Sequence, residues 1–226
     1  MKLKVPKTIL DKAIKAVSKA VPSKGVQQIL NNILLENSNG HLKLNATDLD
    51  FTIEAIIPST NEIEGSITIS ARKLEEVVSK LEEDDVMISV DPETNKTNLL
   101  CRHSNFDLVG VASDDFPRIE KEESSSFVTI NKDKLSRILD LVQFSASKYD
   151  LNNILGGVYL AIREDTESGE TVFEFAATDG NRLSSYELVL DKDSASSNFS
   201  RKEVVVPLRV ILDIQKILDT SVDEEI

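Results

Sequence analysis

One stretch of this chain is written twice. Leu10, Ala13, Ile14 and Val17 stand 125 residues before Leu135, Ile138, Leu139 and Val142, both sets at helical spacing. At the same offset Ile29 and Leu30 match Ile154 and Leu155, and Ile33 and Leu35 match Val158 and Leu160. The offset is 131 where two alternating runs, 42–46 and 173–177, each end in Ala-Thr-Asp, at Asp48 and Asp179. It is 137 where residues 70–81 match 207–218. The first increase falls between Leu35 and Leu42, opposite the longer segment 163–171, where a loop absorbs insertion cheaply. Four matched segments in one order predict two copies of one domain.

The alternation and the breakers place the elements. Residues 1–5 read as a strand and Pro6 as a helix start. Ile9, Leu10, Ala13, Ile14, Val17, Ala20 and Val21 form an apolar stripe, with Lys12, Lys15 and Lys19 on the opposite face. Pro22-Ser23-Lys24-Gly25 ends that helix and leaves Lys24 on a loop. A hairpin joins 33–36 to 42–46 across Asn37-Ser38-Asn39-Gly40. Strands follow at 51–57 and 63–70, a helix at 70–82, and strands at 86–90, 97–102 and 106–112. Residues 113–117 form a turn and the polar run 121–126 is the linker.

The second copy opens with a strand at 127–130 and a helix at 132–147. A hairpin of 157–163 and 171–176, a strand at 182–190, a Ser-rich loop at 191–200 and a helix at 208–218 complete it. The unit reads β-α-β-β-β, used twice within a copy, which makes the expected fold class α+β with two domains, 1–120 and 127–226. The second copy stops inside its repeat, so the chain reads as a fragment.

Forty per cent hydrophobic content over 226 residues suffices for a core. No apolar run is long enough to span a membrane, the start lacks a signal peptide's apolar core, and a lone Cys101 suits a reducing cytosol. A cytoplasmic protein is expected. His41 and His103 have no ligand spacing, so neither a metal nor a cofactor is expected.

The net charge of −13 is unevenly spread. The helical repeats (residues 7–24, 70–81, 132–148 and 201–216) together carry +9, which leaves −22 for the rest. An acidic shell around basic helices discourages indiscriminate contact with nucleic acid while keeping one attractive face.

The repeated unit, the Thr-Asp strand ends, Gln143-Phe144-Ser145, the run Ala177-Thr178-Asp179-Gly180-Asn181-Arg182-Leu183 and Ser113-Asp114-Asp115-Phe116-Pro117 together resemble the bacterial sliding clamp family, the beta subunit of DNA polymerase III. The resemblance covers that family's first domain and most of its second, and its third domain is absent. It implies a DNA-clamp fold with helices on the inner face and antiparallel sheets outside. The implied assembly is a head-to-tail homodimer ring around double-stranded DNA, acting as a non-catalytic processivity factor.

The resemblance also implies site residues. Lys24, Arg72, Lys148, Tyr149 and Asn153 stand where members touch DNA. Leu155, Thr178, Gly180, Asn181, Arg182 and Leu183 match one wall of a groove that takes a short apolar peptide, Asn181 standing where a His is usual. Implied partners are the replicative DNA polymerase alpha subunit, the clamp loader and other proteins with a clamp-binding motif. Lys73, Val77, Phe106 and Leu108 match the ring interface, and a strand edge bearing Phe106 is a pairing site if left uncovered.

Two other readings stand beside this one. Asp48 with Asp50, or Asp114 with Asp115, offer carboxylates for Mg²⁺-dependent nuclease chemistry, though all four lie in turn-like stretches. A β-rich interaction adaptor without a nucleic-acid role is the other.

Overall fold

Strand pairing carries the repeat into three dimensions. The computed structural model describes residues 1–22, 27–49, 51–118, 128–148, 154–165, 168–191 and 202–218. They fall into two units, Met1–Glu120 and Lys121–Ile226. In the first, β1 (Lys2–Pro6) leads into α1 (Lys7–Val17), followed by β2 (Asn32–Ser38), β3 (His41–Thr47) and β4 (Thr52–Pro58). After a short β5 (Thr60–Ile63) the series recurs as β6 (Gly65–Ser70), α2 (Ala71–Ser79), β7 (Asp85–Val90), β8 (Lys96–Cys101) and β9 (Ser104–Val109). The second unit contains α3 (Lys132–Gln143), β10 (Gly157–Glu164), β11 (Thr171–Thr178), β12 (Leu183–Val189), β13 (Lys202–Pro207) and α4 (Leu208–Leu218).

The first unit has sheets in the order β4-β3-β2-β6 and β5-β1-β7-β8-β9, and the second has β12-β11-β10-β13. All named pairs are antiparallel, as an α+β protein requires. The offsets read from sequence are strand registers. Leu35 faces Leu44 and Ile67, and Leu44 faces Ala55. In the second unit Leu160 faces Phe175 and Val204, and Phe175 faces Tyr186. Shifting a strand by one residue would turn its apolar face to solvent, so both copies keep the same pairing although the side chains differ. One matched position diverges: Ile67 is buried, whereas Val204 is 55% exposed.

Each unit has its own core. Leu10, Ala13, Ile14 and Val17 of α1 pack with Leu35, Leu44, Leu74 and Val78. In the second unit Ile138, Leu139 and Val142 of α3 pack with Phe175, Leu208 and Ile211. The β2–β3 hairpin turns through Asn39 and Gly40 alone, both at positive φ, as its Asn-Gly signal implies.

The helix starts are solved differently. Pro6 ends β1 and is also the N-cap of α1, so the helix starts there as expected, but it gives no side-chain cap. The first turn is met instead from the loop before β7: the Lys7 N–H donates to Asp84 O at 2.9 Å, and Lys7 Nζ and Thr8 Oγ1 both donate to Glu83. A carboxylate there also answers the positive end of the helix. In α3 the side chain of Asn131 does this work, accepting from the N–H groups of Asp133 and Lys134, both at 3.1 Å.

The Lys7 ammonium and the Thr8 hydroxyl hold the Glu83 carboxyl below its ordinary value of 4.5. Arg102, then the Asp85 N–H, does the same for Asp84. A depressed folded value contributes stability above the unfolded value and loses it as pH falls through the folded one. Urea midpoints are therefore expected to drop below about pH 4.5, and Glu83→Gln is expected to flatten that fall.

Several sequence expectations need correction. The run 63–70 is two strands: β5 pairs with β1 and β6 with β2, so the chain changes sheets at Glu64 and Gly65. Gly65 has φ 152°, and a Cβ there would lie 3.2 Å from Met1 Cβ. Ile9, read as part of the stripe, is 37% exposed. Helices α1, α2 and α3 stop short of their expected ends and the chain tightens there, with the Val21 N–H donating to Ser18 O, Leu81 to Val78 and Ser145 to Val142. Phe127 and the linker 121–126 lie outside the described residues, and 128–130 form no strand. The first unit holds β1 between β5 and β7, and no counterpart of either is among the described residues of the second.

Candidate nucleic-acid and peptide interfaces

Lys12 and Lys15 are exposed on α1, with Lys19 half-buried just beyond it. Lys15 reaches Asp11 at 2.8 Å, an exposed i,i+4 pair that phosphate can displace at little cost. Arg72 and Lys73 are exposed on α2, which packs against α1. A cleft of about 650 Å³ between the end of α1 and α2 is lined by Ser18, Val21, Arg72, Glu75 and Glu76 among others. An anion approaching Arg72 there also meets two carboxylates. In the second unit Lys148 is exposed after α3. Lys24, Tyr149 and Asn153 lie outside the described residues.

Within the first unit α2 also packs on β9, the last strand of its sheet. Lys73, Val77, Phe106 and Leu108 therefore share one edge of the unit. Phe106 is 37% exposed and Leu108 half-buried against the core, while Val109 at the strand's end is 78% exposed. The far side of β9 has no named partner strand, although the chain beyond it closes back on β6, where Val111 and Thr68 exchange backbone bonds of 2.8 and 2.9 Å.

The third group is the β11–β12 turn. Thr178 Oγ1 donates to Arg182 O at 2.7 Å and accepts from the Gly180 N–H at 3.1 Å. Asp179 Oδ1 accepts from the N–H groups of Asn181 and Arg182 at 3.0 and 3.1 Å, and Oδ2 from Arg182 Nε at 3.0 Å. These donors, led by the Asn181 N–H, hold the Asp179 carboxyl below its usual range. Gly180 sits at φ 87°, where a side chain is strained. Arg182 Cζ lies 5.6 Å from the centroid of the Phe144 ring. Ser145, next to Phe144 and fully buried, shares a 2.7 Å hydrogen bond with Ser184, and the Ser147 N–H donates to Leu155 O at 2.8 Å. Leu155, Thr178, Gly180, Asn181, Arg182 and Leu183 are thereby tied to the end of α3.

Leu183 is 70%, Phe144 53% and Ile154 74% exposed. Phe144, whose ring lies beside Arg182, and Leu183, the next residue, put exposed apolar surface beside a fixed cation, an arrangement suited to an apolar peptide with a polar acceptor. Phe144 and Ile154 carried no site role in the sequence reading; the one signal was a large apolar residue among polar neighbours beside a helix end.

The first unit contains the same turn. Thr47 Oγ1 donates to Phe51 O at 3.0 Å and accepts from the Leu49 N–H at 3.1 Å, and Asp48 Oδ1 accepts from the Phe51 N–H at 3.1 Å. Asp48 is thus engaged in folding, and Asp50 lies outside the described residues. Among the described residues no group of three or more His, Cys, Asp or Glu has the arrangement of a metal site.

Residues 1–120 match the N-terminal domain of the DNA polymerase III beta subunit, and residues 129–226 match its central domain. The chain belongs to the DNA polymerase III beta subunit family. It is similar to the beta sliding clamp of Vibrio cholerae, 29% identical over 220 residues that make up 97% of this chain and 57% of that protein. A solved sliding clamp from Caulobacter crescentus superposes with a TM-score of 0.87 at 28% identity, covering 100% of this chain and 59% of that one. One from Bacillus subtilis gives 0.87 at 28%, covering 100% and 58%. The chain thus spans rather more than half the length of these family members, and its α+β architecture is theirs. No helix among the described residues is long and apolar enough to cross a membrane.

Proposed function

We propose that this chain acts within a DNA polymerase processivity factor, a ring-forming sliding clamp that encircles duplex DNA and tethers the replicative polymerase. The observation that carries this reading is the match of both units, in order, to two successive domains of one clamp family. The protein is non-catalytic. Its Lys24, Arg72, Lys148, Tyr149 and Asn153 touch DNA by contacts to phosphate and sugar, which hold duplex without reading sequence and so permit sliding. Processivity then comes from tethering: a polymerase fixed to a closed ring stays at high effective concentration beside its primer.

Leu155, Thr178, Gly180, Asn181, Arg182 and Leu183 form one wall of the groove for the polymerase alpha subunit, the clamp loader and other motif-bearing proteins. The edge bearing Lys73, Val77, Phe106 and Leu108 joins two copies head to tail. Such an interface covers the open side of β9 and so removes an edge that invites stray pairing. The full-length protein, loaded on circular DNA, is expected to stay bound and to leave when that DNA is linearised, followed by gel filtration of the labelled protein. Escape from both substrates at equal rates would overturn encirclement.

A further inference from the structure

Arg182 is held from three sides. Its backbone N–H and its Nε both bond Asp179, and its carbonyl accepts from Thr178. The remaining restraint is the Phe144 ring, 5.6 Å below the guanidinium carbon. A ring face attracts a cation without using any of its N–H donors. No hydrogen bond from either Nη group of Arg182 is formed with the described residues, so the arginine is fixed while its forked end keeps its donors. Phe144 itself is anchored through Ser145, which is fully buried and bonded to Ser184, two residues after Arg182.

We infer that Phe144 is a positioning residue of the peptide groove. Its ring sets the Arg182 guanidinium so that the Nη groups meet a carboxylate or carbonyl on the bound peptide, beside the apolar anchor taken by Leu183 and Leu155. This rests on the peptide-groove reading above. An arginine whose orientation is fixed beforehand loses less freedom when it binds.

The test compares Phe144→Leu, which keeps apolar volume without a π face, with Phe144→Tyr, which keeps the ring. In the ligand-free full chain, the Arg182 Nε–H resonance, assigned by its loss in Arg182→Lys, is expected upfield through the ring current. It should stay there in Phe144→Tyr and move downfield in Phe144→Leu. The probes are the labelled peptide Leu-Leu-Asp-Leu-Leu, apolar around one carboxylate, and its counterpart with Asn in place of Asp, titrated into each full-length protein. Phe144→Leu should weaken the Asp peptide about two- to five-fold, with Phe144→Tyr restoring it. The Asn peptide should lose less. If the wild type binds while Phe144→Leu changes neither the resonance nor the affinity, the positioning role is wrong and the groove stands. If the full-length wild type, with both walls of the groove present, binds neither peptide at millimolar concentration, the groove reading fails and the inference with it.

Discussion

Phe175→Ala is expected to unfold the second unit. Among the described residues Phe175 is the largest fully buried side chain, facing Leu160 on one strand and Tyr186 on the other. Its ring also meets that of Phe173, with centroids 4.3 Å apart and a tilt of 37°. Truncating a buried phenylalanine costs about 3–5 kcal/mol, since the transfer free energy is lost and the cavity collapses only in part. That is a large share of the roughly 5–15 kcal/mol by which a domain is stable. The described core around Phe175 is also smaller than that around Leu44, its counterpart in the first unit. Urea unfolding followed by hydrogen exchange should show the amides of β10 to β12 losing protection while those of β2 to β4 keep theirs. Loss of protection in both units together would mean that they fold as one.

Reversing Lys12, Lys15 and Arg72 to glutamate together is expected to have the largest effect on DNA. All three are exposed on the paired helices α1 and α2, and none belongs to a core. If each neutralises one phosphate, the slope of log affinity against log salt should become shallower by about 2.7. Between 50 and 200 mM salt the wild type would then lose about forty-fold more affinity than the variant. Unchanged slope and unchanged melting would favour an interaction adaptor over a clamp. Loss of affinity with the slope intact would implicate the fold of α2, where Glu75 and Glu76 flank Arg72.

Most of the fold was legible because pairing tolerates insertion at loops and nowhere else. The offsets of 125, 131 and 137 survive as Leu35 with Leu44 and Ile67 against Leu160 with Phe175 and Val204, so a repeat seen in letters was already a register. What escaped depends on residues distant in sequence. Between Ile63 and Ile67 the alternation is interrupted only by Gly65, a weak local sign of the break between β5 and β6; the division itself comes from β1 claiming one and β2 the other. The start of α1 is signalled locally by Pro6, but its first turn is met by Glu83 and Asp84, far along the chain. The site divides the same way. The Thr178–Leu183 run was readable as a unit, whereas Phe144 reaches Arg182 only because Ser145 and Ser184 join α3 to β12.

The Thr-Asp turn that both units share has a consequence for how such a surface changes over time. The bonds that both copies share come from two side chains, Thr47 and Asp48 or Thr178 and Asp179, meeting backbone groups of the positions after them; the Arg182 Nε bond to Asp179 is an addition of the second copy. Those later positions are at liberty to vary. One copy carries Leu49 at φ 79° and sends Phe51 inward against its core; the other carries Gly180 and presents Arg182 outward. Duplication has thus produced one bracket with two attachments, and natural selection can refit the attachment without rebuilding the bracket.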